Sequence, residues 1–457
     1  MPKARGGQRF FFIHQPQPAS NPMTSIRAKL SLMMFLELAI YGSWLPLLGV
    51  YIGNDYLKFT DDQQGWVFNA FAIASITGMF FGGQLADRYF AQERFLAFSH
   101  VIGGLAMFGL AYQRTYWPFF GLMLLHCFFF VPTMSVTNAI AFANIKDSRE
   151  FGFIRLWGTV GWIAASWPMT VLSIDWAKTP SMAEAGGVVS WLGKALATPK
   201  TGLAMEAALS TTFIVAGVVS LVLAAFCLLL PHTPPSKKAV SSFAPIEAFK
   251  LLAVGSILVL FIVTLFDSLV HYTYFYWASR YFKSIGLAEG WIAPAMSVGQ
   301  FAEIPAMAVM GLVLKRLGWR TTMILGVLGH VVRFGIFSYC DKDLLWLVIL
   351  SNVMHGFAYA FFFATVYIYV DENFPTDVRT SAQSLFNLLI LGIGPLLSNI
   401  LSARLGVLFK TADGGVNYHQ LFLVPLGLGL FATAILAIFF HPKATDPVPE
   451  EVPVLVP

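Results

Sequence analysis

Gly83-Gln-Leu-Ala-Asp-Arg88 has a degraded second copy, Gly311-Leu-Val-Leu-Lys-Arg316, 228 residues further along a chain of 457 residues. The first copy follows the second of twelve apolar stretches, and the second copy follows the eighth. Glu37 in the first stretch is answered by Asp267 in the seventh, at a separation of 230. One half of the chain therefore repeats the other in the same direction. A parallel repeat of membrane helices places a solute site between the halves, near the bilayer midplane.

The twelve stretches cover approximately 28–50, 64–83, 95–113, 116–140, 154–174, 209–231, 249–278, 291–314, 321–339, 343–370, 382–403 and 418–440. Each is close to the ~20 residues a helix needs to cross the hydrocarbon core. The apolar runs are continuous, not alternating, so they predict helices and exclude a barrel. Composition agrees: 57% of residues are hydrophobic and 12% charged, against about 25% charged in soluble domains. Forty-three Phe and twelve Trp suit lipid-facing and interfacial surface. The expected fold is an all-α integral membrane protein with twelve transmembrane helices in two six-helix bundles, residues 23–231 and 249–442. A polar, Pro-rich cytoplasmic linker over 232–248 joins them. Residues 1–22, basic and then Gln/Pro-rich, read as a disordered tail, because the apolar run Phe10–Ile13 is too short for a signal-peptide core. Met23 is then a more plausible start. Residues 443–457 read as a cytoplasmic C-terminal tail. The segment 175–208 is the longest external loop, and its Ala-rich part predicts a short interfacial helix.

Lys and Arg set the orientation. Segments on the side of the N-terminus carry 17 of them, and segments on the other side carry 10. The excess belongs in the cytoplasm, so both termini are expected there. The net charge of +5 thus reports topology, and nothing in it points to nucleic acid. Cys127, Cys227 and Cys340 lie far apart in apolar segments, with no disulfide or metal-ligand spacing. There is no phosphate-binding glycine loop, metal-ligand cluster, or nucleophile with an evident His and acid. Enzyme chemistry and a cofactor are not expected. Without an ATP site, uphill transport must draw on an ion gradient.

Polar residues inside the spans mark the candidate site. In Ser297-Val-Gly-Gln-Phe-Ala-Glu303, a carboxylate sits at membrane depth, at a cost of about 2.5–3.5 kcal/mol on insertion scales. Spacing of three puts Gln300 and Glu303 on one helix face, suited to gripping a polar solute and handling a proton. Burial favours the protonated acid. Arg155, Thr159 and Trp162 fall at i, i+4 and i+7 of the fifth span, hence one stripe able to hold a ring with polar edges. Gly158 and Gly161 lie largely on the other side. His355 and Tyr359 form an i, i+4 pair in the tenth span. Glu37, Asp267 and Arg333 are further buried charges. Each has a plainer reading. Arg155 can snorkel to the surface, and Trp162 can simply pack. His355 can be satisfied by a carbonyl, Glu37 and Asp267 can form structural pairs, and Arg333 can lie outside the cavity.

Gly83-Gln-Leu-Ala-Asp-Arg88, with Arg94 six residues on, resembles the cytoplasmic loop signature of the major facilitator superfamily, which makes Asp87, Arg88 and Arg94 candidate gating residues. Further segments run from about residue 28 to 442: Tyr41-Gly-Ser-Trp44, Pro132-Thr133 with Asn138, Arg155-Leu-Trp-Gly-Thr-Val-Gly161, Leu230-Pro-His232, Gln300-Phe-Ala-Glu303, Arg333-Phe334 and Arg379-Thr-Ser-Ala-Gln383. Together they resemble the nucleoside:proton symporter family of that superfamily, the bacterial nucleoside permeases. The resemblance implies a monomeric, alternating-access importer of nucleosides with protons in the bacterial inner membrane. It also implies solute contacts at Arg155, Thr159, Gln300 and Glu303, unchanged from the family pattern. Trp162 stands where a family member has Phe, His355 where it has Tyr, and Tyr359 where it has Phe. The family's polar contacts in the seventh span do not carry over, and His271 and Tyr272 are the candidates there. Glu303 is the first candidate for proton coupling, with Glu37 and Asp267 as alternates. A sugar or other metabolite porter on this scaffold, or a membrane sensor without net flux, are the competing readings.

Overall fold

Polar first turns decide where several of the helices begin. Residues 22–78, 90–145, 150–235, 252, 255–373, 382–383 and 385–441 are described by a computed structural model. The 1–21 part of the expected tail, the Asp87-Arg88 loop, most of the 232–248 linker, Arg379 and the 443–457 tail lie outside the described residues. The helices are α1 (Pro22–Ile52), α2 (Asp61–Thr77), α3 (Gln92–Ala111), α4 (Tyr116–Asn144), α5 (Glu150–Leu172) and α6 (Gly202–Phe226) in the first half. The second half holds α7 (Gly255–Ser284), α8 (Glu289–Tyr339), α9 (Lys342–Asn373), α10 (Leu385–Leu408) and α11 (Tyr418–Phe439). Thr60 caps α2: its hydroxyl accepts from the Gln63 amide, and the Gln63 side chain accepts from the Thr60 amide. This reciprocal cap satisfies two otherwise orphaned donors. It carries the helix back three residues before the apolar run that begins at 64.

Nine helices among the described residues are long and apolar enough to cross a membrane. One of them, α8, has 51 residues and would reach about 75 Å if straight, more than twice a bilayer core. It does not run straight. Gly318, at φ 73° and ψ 173°, divides it into two helical runs, because only glycine adopts that backbone without strain. Gly311–Arg316 therefore lies in helix, just before the turn. In 175–208 the chain forms two short helices, Met182–Ala185 and Val188–Leu196, where one was expected.

Within the first half, α1 packs on α5 and α6, α3 on α4 and α6, and α2 on α4. Within the second, α8 packs on α9 and α11, and α7 on α10 and α11. Contacts that cross between the halves include α1 with α7 and α8, α2 with α10, and α5 with α8. The α1–α5 crossing is close enough that a Cβ on Gly161 would lie 2.9 Å from the Phe35 Cα. Small residues permit such approach where lipid gives no hydrophobic drive.

Polar bonds between the halves cluster at the end of the bundle that carries segments 53–60 and 285–288. Lys283 donates to Asp55 at 2.6 Å and also pairs with Glu289 of its own half. The Tyr56 hydroxyl donates to Glu289 at 3.1 Å. Arg280 donates to Gln64 at 2.6 Å while stacking over Tyr276 and Trp277. Arg404 approaches Asp62 at 3.5 Å, and Asn399 donates to Asn69 at 3.0 Å.

Candidate functional site

Helices α8 and α9 meet at two glycines, and this meeting builds one wall of the site. A Cβ on Gly299 would lie 3.0 Å from that of His355, and one on Gly356 would lie 2.8 Å from the Glu303 Cα. Gln300 and Glu303 are thereby set beside His355 and Tyr359. Gln300 is buried and its Oε1 has no hydrogen-bond partner. Glu303 and Tyr359 are half-buried.

The facing wall comes from α5. Arg155, Thr159 and Trp162 are all buried, as the i, i+4, i+7 stripe predicts. The Arg155 Nη1 is buried without a hydrogen-bond partner. A guanidinium buried in this way is not snorkelling to a surface. The bare glycine at 158 leaves the space that its Nη1 fills. Trp162 sits where α5 crosses α1, and a Cβ on Gly42 would lie 2.8 Å from its Cα.

Of the candidates in α7, His271 is buried, with Nδ1 lacking a partner, and stacks on His355 at 4.8 Å between ring centroids. Tyr272 is half-buried and lines a cavity between the halves together with Tyr41, Phe71, Phe275 and Asn399. Tyr272 thus reaches the space between the halves, where Tyr41 joins it without having been expected, whereas the ring contacts of His271 lie within the second half.

Glu37 is engaged inside its own half. Thr133 donates to it at 2.6 Å, and the His100 Nε2 lies 2.9 Å away. The other His100 nitrogen meets the Ser220 hydroxyl at 3.1 Å. This network ties α1, α3, α4 and α6 together, as a structural pair would. Asp267 is fully buried and neither carboxylate oxygen has a hydrogen-bond partner; its nearest basic group is the His330 Nε2 at 3.8 Å. Arg333 donates from Nη1 to His355 Nδ1 at 2.7 Å and from Nη2 to His330 Nδ1 at 3.1 Å. Arg333 thus reaches the candidate site through His355, and His330 is a participant the sequence reading overlooked. The signal was available, since His330 follows His100 by 230 residues, the same separation that relates Asp267 to Glu37. Arg94 is exposed in the first turn of α3, and its proposed gate partners lie outside the described residues. Among those residues no group of His, Cys, Asp and Glu is placed to hold a metal.

A membrane bundle with a polar centre between two halves defines a solute transporter. The fold agrees with solved transporters: a D-xylose-proton symporter gives a TM-score of 0.68 at 14% identity, covering 92% of this chain and 99% of that one. The nucleoside transporter NupG gives 0.75 at 22% identity, covering 92% of this chain and all of that one. The sequence matches the family described as Nucleoside H+ symporter over residues 24–184 and 184–445, and the chain belongs to that family. Among curated relatives, the putative nucleoside transporter YegT of Escherichia coli is 33% identical over 379 residues, covering 81% of this chain and 82% of the relative. The xanthosine permease of the same organism is 27% identical over 435 residues, covering 91% and 96%. The protein is therefore a multi-pass, proton-coupled nucleoside transporter and not an enzyme.

Proposed function

We propose that the solute is held between α5 of the first half and α7, α8 and α9 of the second, with Arg155 and Gln300 as its main polar anchors. The observation that carries this reading is that Arg155 Nη1 and Gln300 Oε1, from opposite halves, are both buried without partners. Buried polar atoms are rarely left so, and a donor with an acceptor suits the edges of a nucleobase or ribose. Thr159, Trp162, Tyr359, His271 and Tyr272 complete the lining. Aromatic stacking on a base contributes about 1–3 kcal/mol in other settings.

Glu303 is the proposed proton carrier. Protonated, it donates to the solute; ionised, it pairs electrostatically with Arg155. Solute and proton occupancy are then linked, and the linkage is reciprocal. Glu37 and Asp267 are the alternates, and the closed network around Glu37 favours a structural role for it.

The proposed architecture is twelve spans in two parallel repeats, working as a monomer. Dividing α8 at Gly318 and adding α2 and α5 to the nine apolar helices gives that number. A twofold repeat that pairs span 1 with 7 and span 2 with 8 also turns the α2–α10 contact into the α5–α8 contact, and both are present. The Lys and Arg excess supports cytoplasmic termini in a bacterial inner membrane. Segments 53–60 and 285–288 then lie outside, and the polar clasp there corresponds to an outward-closed state of an alternating-access cycle. Purified protein in vesicles with an imposed inward proton gradient should accumulate labelled nucleoside in preference to sugars. Accumulation that survives a proton ionophore would refute coupling, and preference for a sugar would refute the solute assignment.

A further inference from the structure

The two halves carry corresponding buried constellations with two changes. In the first half, Glu37 pairs with His100 at 2.9 Å, and the His126 Nδ1 bonds to the Gly103 carbonyl at 3.1 Å. Moving 230 residues on from Glu37, His100 and Gly103 gives Asp267, His330 and Arg333, and moving 229 on from His126 gives His355. The second half therefore again holds an acid and two histidines, with Asp for Glu and an arginine in place of a glycine. All four second-half side chains are buried, with Asp267, His330 and Arg333 at 0% exposure. The guanidinium fills the middle. It bonds to both imidazoles and lies 4.1 Å from the centroid of the Tyr274 ring.

An arginine can only donate. Both nitrogens it reaches are Nδ1, so both must be bare acceptors, and the hydrogen of each ring must sit on Nε2. We propose that Arg333 is a positioning residue that fixes His355 and His330 as neutral Nε2–H tautomers, so that His355 enters the solute site as a hydrogen-bond donor and not as a proton carrier. A second proton on either ring would sit on Nδ1 and meet a guanidinium N–H. The groups facing this cluster are Asp267, His271 and Tyr274 from α7, His330 from α8 and His355 from α9. Asp267 is the carboxylate that balances the arginine, and the His330 Nε2 side of the ring is turned toward it at 3.8 Å. In the first half no cation intervenes, and the acid bonds its histidine directly. The role assigned to His355 rests on the proposed solute site, whereas the tautomer assignment does not.

Solid-state 15N NMR on histidine-labelled protein in bilayers reads the ring hydrogens directly, with His355→Gln and His330→Gln samples assigning two of the nine histidines. The wild type should show hydrogen on Nε2 alone for both rings at pH 7.5 and at pH 5.5. Hydrogen on Nδ1 of His355 at either pH overturns the proposal. Arg333→Met alone leaves Asp267 as a buried unpaired charge, a strongly destabilising change, so Asp267→Asn/Arg333→Met, which removes both charges, is the second variant. There the His355 Nδ1 has lost its guanidinium donor, so the 15N spectrum should show hydrogen on Nδ1 in a share of the His355 rings. Hydrogen that stays on Nε2 alone in the double variant would show that Arg333 does not control the His355 tautomer. Wild-type protein that binds neither uridine nor adenosine would overturn the solute site while leaving the NMR result to stand.

Discussion

Gln300 presents its amide oxygen to a buried space with nothing in the protein to bond. A solute that supplies the missing donor recovers a bond otherwise forgone. Loss of such a buried bond costs about 1–3 kcal/mol, so Gln300→Ala should weaken nucleoside binding roughly tenfold to a hundredfold while the thermal midpoint of the solute-free protein stays nearly fixed. Calorimetry and thermal unfolding on one preparation separate the two; equal binding by the variant would remove Gln300 from the site. Glu303→Gln keeps a hydrogen-bond donor but cannot lose a proton. It should retain part of the binding and lose the rise of uptake on acidifying the outside. A wild-type pH response in that variant would leave Glu303 as a ligand only and move the coupling to Asp267 or Glu37. At this scale the sequence was informative wherever one residue has no cheap reason to be present. Gln300, Glu303 and Arg155 stand out as polar groups in apolar helix, and the structure buries Arg155 and Gln300 on α5 and α8, two helices that meet across the halves. His330 was missed, because a single histidine in an apolar span is weak evidence until its partner across the bundle is seen. The plainer reading of Arg333, outside the cavity, rests on the usual place of its helix, which says nothing about how far a guanidinium reaches.

Helix crossings at single glycines control the site geometry at the scale of elements. Gly356 faces the backbone of Ala302 and Glu303, and a Cβ there would lie 2.6 Å from the Ala302 carbonyl carbon. Backbone cannot yield as a flexible side chain does, so Gly356→Ala should push α9 off α8. Overpacking of this kind costs about 1–3 kcal/mol. The expected outcome is a lower thermal midpoint together with weaker nucleoside binding, since His355 and Tyr359 move with α9. Gly427→Ala on α11, where an added Cβ meets nothing within 4 Å, should change neither. Apolar run length revealed the elements but not their limits. The run beginning at 209 belongs to a helix that starts at Gly202, and the run beginning at 64 to one that starts at Asp61. Hydropathy does not register polar first turns, and capping chemistry does. A further feature that run length hides is the wide π turn over Tyr359–Ala364 of α9. Such turns frequently accompany functional sites; this one begins at a site residue.

For the whole molecule, the repeat and the charge asymmetry make a topological prediction. A cysteine placed at Val240, in the linker between halves, should react with membrane-impermeant thiol reagents only when the cytoplasmic face is accessible. Labelling from outside intact cells would overturn the assigned orientation. The helical membrane class was the most legible level, because the length of an apolar span is fixed by the bilayer and not by a particular partner. Which end of the bundle is shut was not legible, since that depends on residues far apart in sequence meeting across two bodies, as Asp55 and Lys283 do.

That end is fastened partly by the buried amides Gln64, Asn69 and Asn399 and partly by charges that water can reach. Arg404 and Asp62 are 68% and 55% exposed, and Asp55 is 58% exposed. Exposed ion pairs typically contribute about 0–1 kcal/mol each, and the range of such forces shrinks to about 3 Å in 1 M salt. The charged part of the clasp is therefore shallow, sensitive to the medium that bathes it. Raising ionic strength outside should loosen it, enlarge the share of molecules open to the exterior, and lower the nucleoside concentration needed for half-maximal uptake. Lys283→Ala should mimic the salt and abolish most of its effect. For this carrier, the saltiness of the surroundings becomes a dial on how readily it samples them.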